Sequence, residues 1–153
     1  MTFLLLDEPR SLLWAIADSV LLVLRPAGDS LELVGRHTLP AAGRRASAFG
    51  NRIAVAMGEG GVVLLDAASP TALRELSRWS AARYVYDVSL LASRLYAASG
   101  VEGVYVLGTG GDRLTTLGLA RDLGFAVALS SSGGYTYVVD RFTTSLRRIN
   151  SDF

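Results

Sequence analysis

A pattern that recurs three times at a constant spacing is the feature of this chain that most restricts its fold. The stretches 52–66, 94–108 and 136–150 share an order of apolar runs and turns, and their starting positions are separated by a spacing of 42 in both cases. A self-similar period of roughly 40 to 45 residues is typical of a four-stranded β-propeller blade. The sequence therefore predicts an all-β fold made of blades with four antiparallel strands.

Within each repeat, short apolar runs are bounded by Gly, Ser, Asp or Asn, a pattern that predicts strands. In the clearest unit the predicted strands are 46–49, 53–57, 62–65 and 73–79, with turns at 50–51 and 58–61. In the next unit they are 84–90, 95–98, 104–107 and 114–119. The last unit has predicted strands at 125–129, 135–139 and 146–149, with SSSGG (130–134) as a turn.

The beginning of the chain contains a shorter unit with predicted strands at 13–17, 20–24 and 31–36. Residues 14–17 match residues 53–56 at a spacing of 39, and residues 3–6 form a possible extra strand. We expect a single domain over 1–153, with repeats near 11–45, 46–82, 83–124 and 125–153. About fifteen strands result, which is about three and three-quarter blades per chain.

The unit around residues 46–76 resembles the LVIVD repeat. The matching residues are Gly50-Asn51, the strand 53–56, the glycine-rich hairpin 58–61, the strand 62–66 ending in Asp66, and Ser69-Pro70. The stretch 126–140 is closer to the related YVTN-type repeat, and together the resemblance covers about four-fifths of the chain. It implies a β-propeller and no catalytic residues. Such repeats are often found in cell-surface or envelope proteins.

An arc of fewer than four blades leaves apolar faces uncovered, and single-chain propellers have four to eight blades. We therefore predict a homodimer in which two chains close one ring of about eight blades. In this hypothesis residues 3–6 of one chain supply the missing outer strand of the other chain's last blade, which satisfies its unpaired backbone groups. The alternatives are a ring completed by a heterologous partner subunit and self-closure into four blades.

Composition excludes several classes of protein. The chain has a net charge of +1, which argues against a nucleic-acid partner, and its fifteen basic residues are all arginine. Without cysteine there is no disulfide, thiolate metal site or cysteine nucleophile. The N-terminal apolar stretch lacks a positive leading region, and its run at 12–24 is too short to span a bilayer as a helix. We expect a cytoplasmic protein without a transmembrane segment.

No catalytic motif occurs, and we predict no catalytic, cofactor-binding or metal-binding residues and no cofactor. The lone His37 is expected at the surface, and Asp87, Glu59 and Glu102 are acidic residues that a central channel can bring together. Arg44-Arg45 and Arg147-Arg148 are the only adjacent basic pairs. Alternation places Arg147 and Arg148 on opposite faces of their blade, where we expect them to face solvent or an interface or, alternatively, to contact an anion or an acidic partner. Packing between blades is expected for most of the tryptophans and tyrosines (Trp14, Trp79, Tyr84, Tyr86, Tyr96, Tyr105, Tyr135, Tyr137).

The alternative for the aromatic residues is a sugar-stacking or peptide-contacting rim. The segment 83–87, RYVYD, is its best candidate because it lies at the start of an inner strand, where propeller loops line the channel. Three functions follow from these observations. The first is a non-enzymatic interaction or scaffold module that assembles with itself or with a partner subunit. The second is a lectin-like or small-ligand-binding propeller with sites at its loops, and the third is an enzyme with its active site at the channel.

Overall fold

Fifteen β-strands form four antiparallel sheets in the computed structural model, which describes residues 3–150. The first sheet contains β1 (Phe3–Asp7), β2 (Leu12–Ala17), β3 (Val20–Ala27) and β4 (Ser30–Thr38). The second contains β5 (Arg45–Phe49), β6 (Arg52–Ala56), β7 (Val62–Asp66) and β8 (Arg74–Trp79). The third contains β9 (Asp87–Leu90), β10 (Arg94–Ala98), β11 (Val104–Gly108) and β12 (Thr115–Ala120). The fourth contains β13 (Ala126–Ser132), β14 (Tyr135–Asp140) and β15 (Ser145–Asn150).

In every sheet the strands pair in chain order, so each sheet is a simple meander. The predictions of an all-β chain and of units with four antiparallel strands are therefore confirmed for the first three sheets. The fourth sheet has three strands within the described residues. Two short 3-10 helices, Glu8–Arg10 and Gly110–Asp112, are the only helices in the described range, and neither is long enough to cross a membrane.

The position of β1 corrects one part of the dimer hypothesis. Residues 3–7 pair with β2 of their own chain, with Phe3 opposite Ile16 and Asp7 opposite Leu12. The first unit therefore begins at Phe3 rather than near residue 11, and it has all four strands. Because β1 already occupies the first position of its own sheet, it is not a spare strand for the last sheet of another chain.

Two of the predicted repeat spacings are wrong by one residue. Strand pairing makes Leu13 equivalent to Ile53, a spacing of 40 rather than 39, and Leu95 equivalent to Thr136, a spacing of 41 rather than 42. Side chains alternate between the two faces of a strand, so an error of one residue assigns each side chain to the wrong face. The predicted turn at 130–134 is also too long, since Ser132 still belongs to β13.

The four sheets stack face to face in chain order, with three apolar clusters between them. The first cluster joins sheets one and two and includes Trp14, Ile16, Ile53 and Leu65. The second joins sheets two and three, and the third joins sheets three and four around Tyr96. Both faces of the two middle sheets are therefore covered, which explains why their central strands are apolar at consecutive positions.

The stack spreads outward from its first strands. Strands β1, β5, β9 and β13 contact one another in that order, whereas contacts between the fourth strands are much sparser. One contact between fourth strands is the hydrogen bond that Trp79 Nε1 of β8 donates to Thr116 Oγ1 of β12 at 2.9 Å. The first strands therefore lie on the concave side of the stack. The fourth strands β4 and β8 carry charged residues such as Glu32 and Arg78.

The outer faces of the first and fourth sheets are uncovered. Leu6 and Leu33 on the first sheet are 56% and 55% exposed, and Leu146 on the fourth sheet is 69% exposed. The chain therefore does not close on itself into a four-sheet ring, which removes one of the three alternatives for closure. We call these two surfaces the first end face and the last end face.

Candidate functional site

A groove of about 510 Å³ runs along the concave side of the stack. Its walls are formed by the first strands of the four sheets, which are β1, β5, β9 and β13. Phe3, Ser47, Asp87 and Ser131 are among the lining residues. We call it the inner groove. Each of these strands pairs with another strand on one side only, so their second edges face the groove.

Side chains of one sheet satisfy backbone groups of the next along this groove. Ser47 Oγ accepts a hydrogen bond from the Leu90 N–H at 2.9 Å, and Asp87 Oδ2 accepts one from the Leu129 N–H at 2.8 Å. Ser89 Oγ and Ser131 Oγ lie 2.7 Å apart and share a hydrogen bond. These links join the edges of neighbouring first strands, where unpaired amides would otherwise be costly.

Asp87 is the buried acidic residue of the inner groove. Burial raises the pKa of its carboxyl group, and the opposing effects are the hydrogen bonds from the Leu129 and Val88 N–H groups and the nearby charge of Arg45. Both of its oxygens accept hydrogen bonds from backbone amides. The carboxylate is therefore a structural link between sheets three and four rather than a free group for a ligand.

A smaller cleft opens at the end of the concave side where the first strands begin. Its volume is about 230 Å³, and it is lined by Arg44, Arg45, Tyr86 and Val127. We call it the arginine cleft. Arg44, Tyr86 and Val127 occupy equivalent positions, each immediately before or at the start of a first strand, so three sheets contribute three different side chains to one cleft.

A row of aromatic rings extends from this cleft across sheets two to four. The Arg44 guanidinium lies 4.9 Å from the ring centre of Tyr84, and the Tyr84 and Tyr86 rings are 4.5 Å apart. The row continues from Tyr86 to Phe125 at 5.3 Å and from Phe125 to Phe142 at 5.0 Å. We call these four rings the aromatic row. Tyr84 and Tyr86 of the segment 83–87 belong to this row and precede β9, and the role of the segment as a rim stays a prediction.

Asp140 holds the far end of the aromatic row in place. One of its oxygens accepts a hydrogen bond from the Gly124 N–H at 2.8 Å, and the other accepts bonds from Phe125 N–H at 2.9 Å and Phe142 N–H at 3.1 Å. The hydrogen bond from the Gly124 amide is the largest of the effects that lower the pKa of Asp140 far below its ordinary value. The carboxylate therefore fixes the two loops that carry both phenylalanines.

Acidification is expected to destabilise the protein through Asp140. A carboxyl group whose pKa is lower in the folded state contributes stability above its unfolded pKa of about 3.9, and this contribution is lost as the pH falls toward the folded pKa. We expect the free energy of unfolding to decrease below about pH 4, and Asp140→Asn to reduce that slope by up to about one proton. Urea unfolding between pH 2.5 and pH 7 measures this.

The control for this measurement is Asp29→Asn, because Asp29 is exposed at a turn. That variant should follow the wild-type pH dependence. An unchanged acid slope in Asp140→Asn would show that protonation of Asp140 is not coupled to unfolding.

The structure also shows the surroundings of the histidine, the second arginine pair and Glu102, which were selected from the sequence. His37 is half-buried inside β4 rather than beyond it. Arg147 and Arg148 do point to opposite faces: Arg147 donates a hydrogen bond to the Asp122 carbonyl oxygen at 2.8 Å, and Arg148 lies over the Tyr135 ring at 4.4 Å on the last end face. Glu102 accepts a hydrogen bond from the Arg83 N–H.

The aromatic residues divide into three groups. Trp14, Trp79 and Tyr96 are buried between sheets, and Tyr105 packs against the second cluster, as the packing interpretation predicted. Tyr84 and Tyr86 belong to the aromatic row, and Tyr135 and Tyr137 lie on the last end face. Within residues 3–150 no group of three or more His, Asp or Glu side chains is arranged to hold a metal ion.

The residues of the first end face have counterparts in the second and third sheets, and most of these counterparts are buried. One row of paired residues on this face consists of Leu6, Leu13, Leu24 and Leu33. Its counterparts are Ala48, Ile53, Leu65 and Glu75 in the second sheet and Leu90, Leu95, Leu107 and Thr116 in the third. In those two sheets the first three members of the row pack against the preceding sheet.

The last end face shows the same relation in the opposite direction. Tyr137, Val139 and Leu146 lie on it, and strand pairing makes them equivalent to Tyr96, Ala98 and Val104 of the third sheet. Those three residues are fully buried against the fourth sheet. Each end face therefore carries the type of apolar surface that is covered at the internal interfaces.

Sequence reasoning missed the arginine cleft and the role of Asp140. Arg44, Tyr86 and Val127 lie one repeat apart along the chain, and their approach depends on the stacking of three sheets. One signal for the inner groove was present. Ser47, Ser89 and Ser131 recur at intervals of 42 residues in or next to the predicted first strands, which indicates a polar line along those strands.

Comparisons with known proteins support the fold only. No model of a protein family matches the chain, and no curated protein sequence matches it. The chain is similar to the crystal structure of the computationally designed Ika4 protein, with a TM-score of 0.74 and 10% sequence identity. The match covers 97% of this chain and 89% of that one. The resemblance to the LVIVD repeat stays a prediction from the sequence.

Proposed function

We propose that the chain is a non-enzymatic interaction and scaffold module, a partial β-propeller whose ring is closed by a second copy. The observation that carries the proposal is the pair of uncovered end faces, which repeat the surfaces buried between the internal sheets. Leucines that are more than half exposed in a single chain are costly to leave in water, at about 25 cal/mol for each Å² of apolar surface. A covering partner removes that cost.

The two end faces are of opposite types, and this selects the partner. The first end face corresponds to surfaces that pack on a preceding sheet, and the last end face to surfaces that pack on a following sheet. The fourth sheet of one copy therefore suits the first sheet of another. Such head-to-tail contacts form a ring if their rotation closes and a filament if it does not. Two copies with four sheets each give eight blades, which lies within the range of four to eight blades found in closed propellers.

The strand arrangement supports the same interpretation. Each sheet is a meander whose first strand lies on the concave side, and successive sheets diverge toward their fourth strands. This is the radial order of strands in propeller blades. Of the three acidic residues selected from the sequence for a channel, Asp87 and Glu102 accept hydrogen bonds from backbone amides, and Glu59 is exposed in its hairpin.

Charged substitutions on the two end faces test the proposal. By light scattering after size exclusion, the wild type is expected to have twice the 16.3 kDa mass of one chain. Leu6→Lys on the first end face and Leu146→Glu on the last should each give monomers. Mixing the two variants should restore the dimer. In the mixed pair, one contact between a first and a last end face is unchanged, and the other places the lysine at position 6 of one variant against the glutamate at position 146 of the other variant.

Val101→Glu is the matched control, since Val101 is 63% exposed at a hairpin outside both end faces. It should keep the wild-type mass. A wild-type monomer would overturn the second copy as partner and favour a heterologous subunit on the same faces. A dimer that survives Leu6→Lys and Leu146→Glu would show that the copies associate through another surface.

A further inference from the structure

Two guanidinium groups in the arginine cleft have no acidic partner. Within residues 3–150, Arg44 and Arg45 form no salt bridge, and their side chains donate no hydrogen bond to another residue. Each lies over an aromatic ring instead, Arg44 over Tyr84 at 4.9 Å and Arg45 over Phe3 at 5.1 Å. Because neither side chain donates a hydrogen bond to another described residue, the N–H donors of both groups are free for a carboxylate.

Neither Asp87 nor Glu59 neutralises the arginine cleft. The charge of Arg45 has only a minor influence on the pKa of Asp87. The two carboxylate oxygens of Asp87 accept hydrogen bonds from the Leu129 and Val88 amides. Glu59 is exposed in the hairpin next to Gly58, and it forms no salt bridge with either arginine. The cleft therefore presents two positive charges that are already held in position.

The aromatic row gives the cleft an apolar extension. Its four rings contact one another at interplanar angles of 45–63°, so they form one continuous surface. Three successive ring-to-ring contacts make this surface as long as a few residues of an extended chain. Phe142 at its far end is 67% exposed, which leaves its ring accessible to a ligand.

We propose that the arginine cleft and the aromatic row together bind an acidic, extended peptide segment of a partner protein. A carboxylate of the segment is held by Arg44 and Arg45, and apolar side chains that follow it lie on Tyr86, Phe125 and Phe142. A small free anion would use the arginines alone and leave the aromatic row without a role. The combination of both features in one surface selects a peptide.

The geometry favours a peptide over a single-stranded nucleic acid. Bases bind by stacking on open aromatic faces along a basic track. Here the rings of the aromatic row pack on one another, and the whole chain carries a net charge of only +1. Two arginines provide one or two phosphate contacts rather than a continuous track.

This inference extends the proposed function by naming a partner, and the two can fail separately. Arg44, Arg45, Tyr86 and Val127 belong to one chain, so the site does not depend on ring closure. Peptide binding should therefore persist in the monomeric Leu146→Glu variant. A monomeric wild type that still binds would overturn the ring and leave the peptide site standing.

Selection from a random octapeptide library on phage tests the site. With the wild type we expect enrichment of Asp or Glu next to aromatic or aliphatic residues. For a selected peptide, the variant R44A/R45A should weaken binding at least about tenfold in fluorescence anisotropy. R44K/R45K should keep part of the affinity, because lysine preserves the charge but not the planar fork. Phe142→Ala should remove the apolar preference and retain the acidic one.

The control is R74A/R78A, which removes the same charge from exposed arginines on β8. It should bind as the wild type does, and circular dichroism should be unchanged in every variant. Raising the salt concentration from about 0.05 to 0.5 M should weaken wild-type binding more than that of R44A/R45A. Peptides without acidic residues, or equal affinity for R44A/R45A, would overturn the proposal. Binding of a dT20 oligonucleotide that depends on Arg44 and Arg45 would overturn it in favour of a nucleic acid.

Discussion

Replacing Trp14 with alanine is expected to lower the free energy of unfolding by about 3–5 kcal/mol. The indole is fully buried between the first and second sheets, and its removal leaves a cavity that the two rigid sheets fill only in part. The substitution also removes the hydrogen bond from Trp14 Nε1 to Asp7 Oδ2, although Asp7 keeps its salt bridge with Arg10. A domain is typically stable by only about 5–15 kcal/mol, so the loss is large.

Urea unfolding at one protein concentration measures the effect, because association also contributes to apparent stability. Trp14→Phe keeps an aromatic ring without the N–H donor, and it should fall between the wild type and Trp14→Ala. Leu117→Ala is the exposed control, and it should change stability by less than about 0.5 kcal/mol. A loss below about 1 kcal/mol in Trp14→Ala would contradict the role of this cluster in joining the two sheets.

Gly61→Ala and Gly103→Ala are expected to cost at least about 1–3 kcal/mol each from backbone conformation alone. These glycines close equivalent hairpins one repeat apart, with φ angles of +76° and +102°. A Cβ atom at Gly61 would lie 2.1 Å from the Trp79 carbonyl oxygen, and one at Gly103 would lie 2.0 Å from the Ala120 carbonyl oxygen. The fourth strand of each sheet would have to move away, which adds to the cost.

A graded set of glycine substitutions separates the two causes. Gly110→Ala has open space and no positive φ, so it should be neutral or slightly stabilising. Gly28→Ala has open space at a φ of +62° and should show the conformational cost alone. Thermal unfolding should rank the variants in the order Gly110→Ala, Gly28→Ala and Gly61→Ala. If Gly61→Ala is no worse than Gly28→Ala, the close approach to β8 does not contribute.

The clearest repeat unit was predictable almost strand by strand. Strands β5 to β8 lie within one or two residues of the predicted runs, because Gly50-Asn51 and GEGG at 58–61 mark the turns. The first and fourth units were less accurate in register. Their hairpins differ in length from GEGG, and a change of one residue reverses the face to which each side chain points.

The candidate site was predictable in part. The segment 83–87 was selected as a rim from its position before an inner strand, and Tyr84 and Tyr86 do lie in the aromatic row. Phe125 and Phe142 were not selected, because nothing local connects them with that segment. They join the row through Asp140, which binds the amides of both residues, and this arrangement depends on the fourth sheet as a whole.

The sequence by itself determined the type of element and the number of strands, because turn residues and apolar runs act over a few positions along the chain. The tertiary structure decided how the strands are used. It placed β1 in its own sheet, left two apolar end faces uncovered, and brought Arg44, Tyr86 and Val127 into one cleft. These features depend on how whole sheets stack. Stacking depends on the face of its strand that each side chain occupies, and the register of strand pairing sets that face.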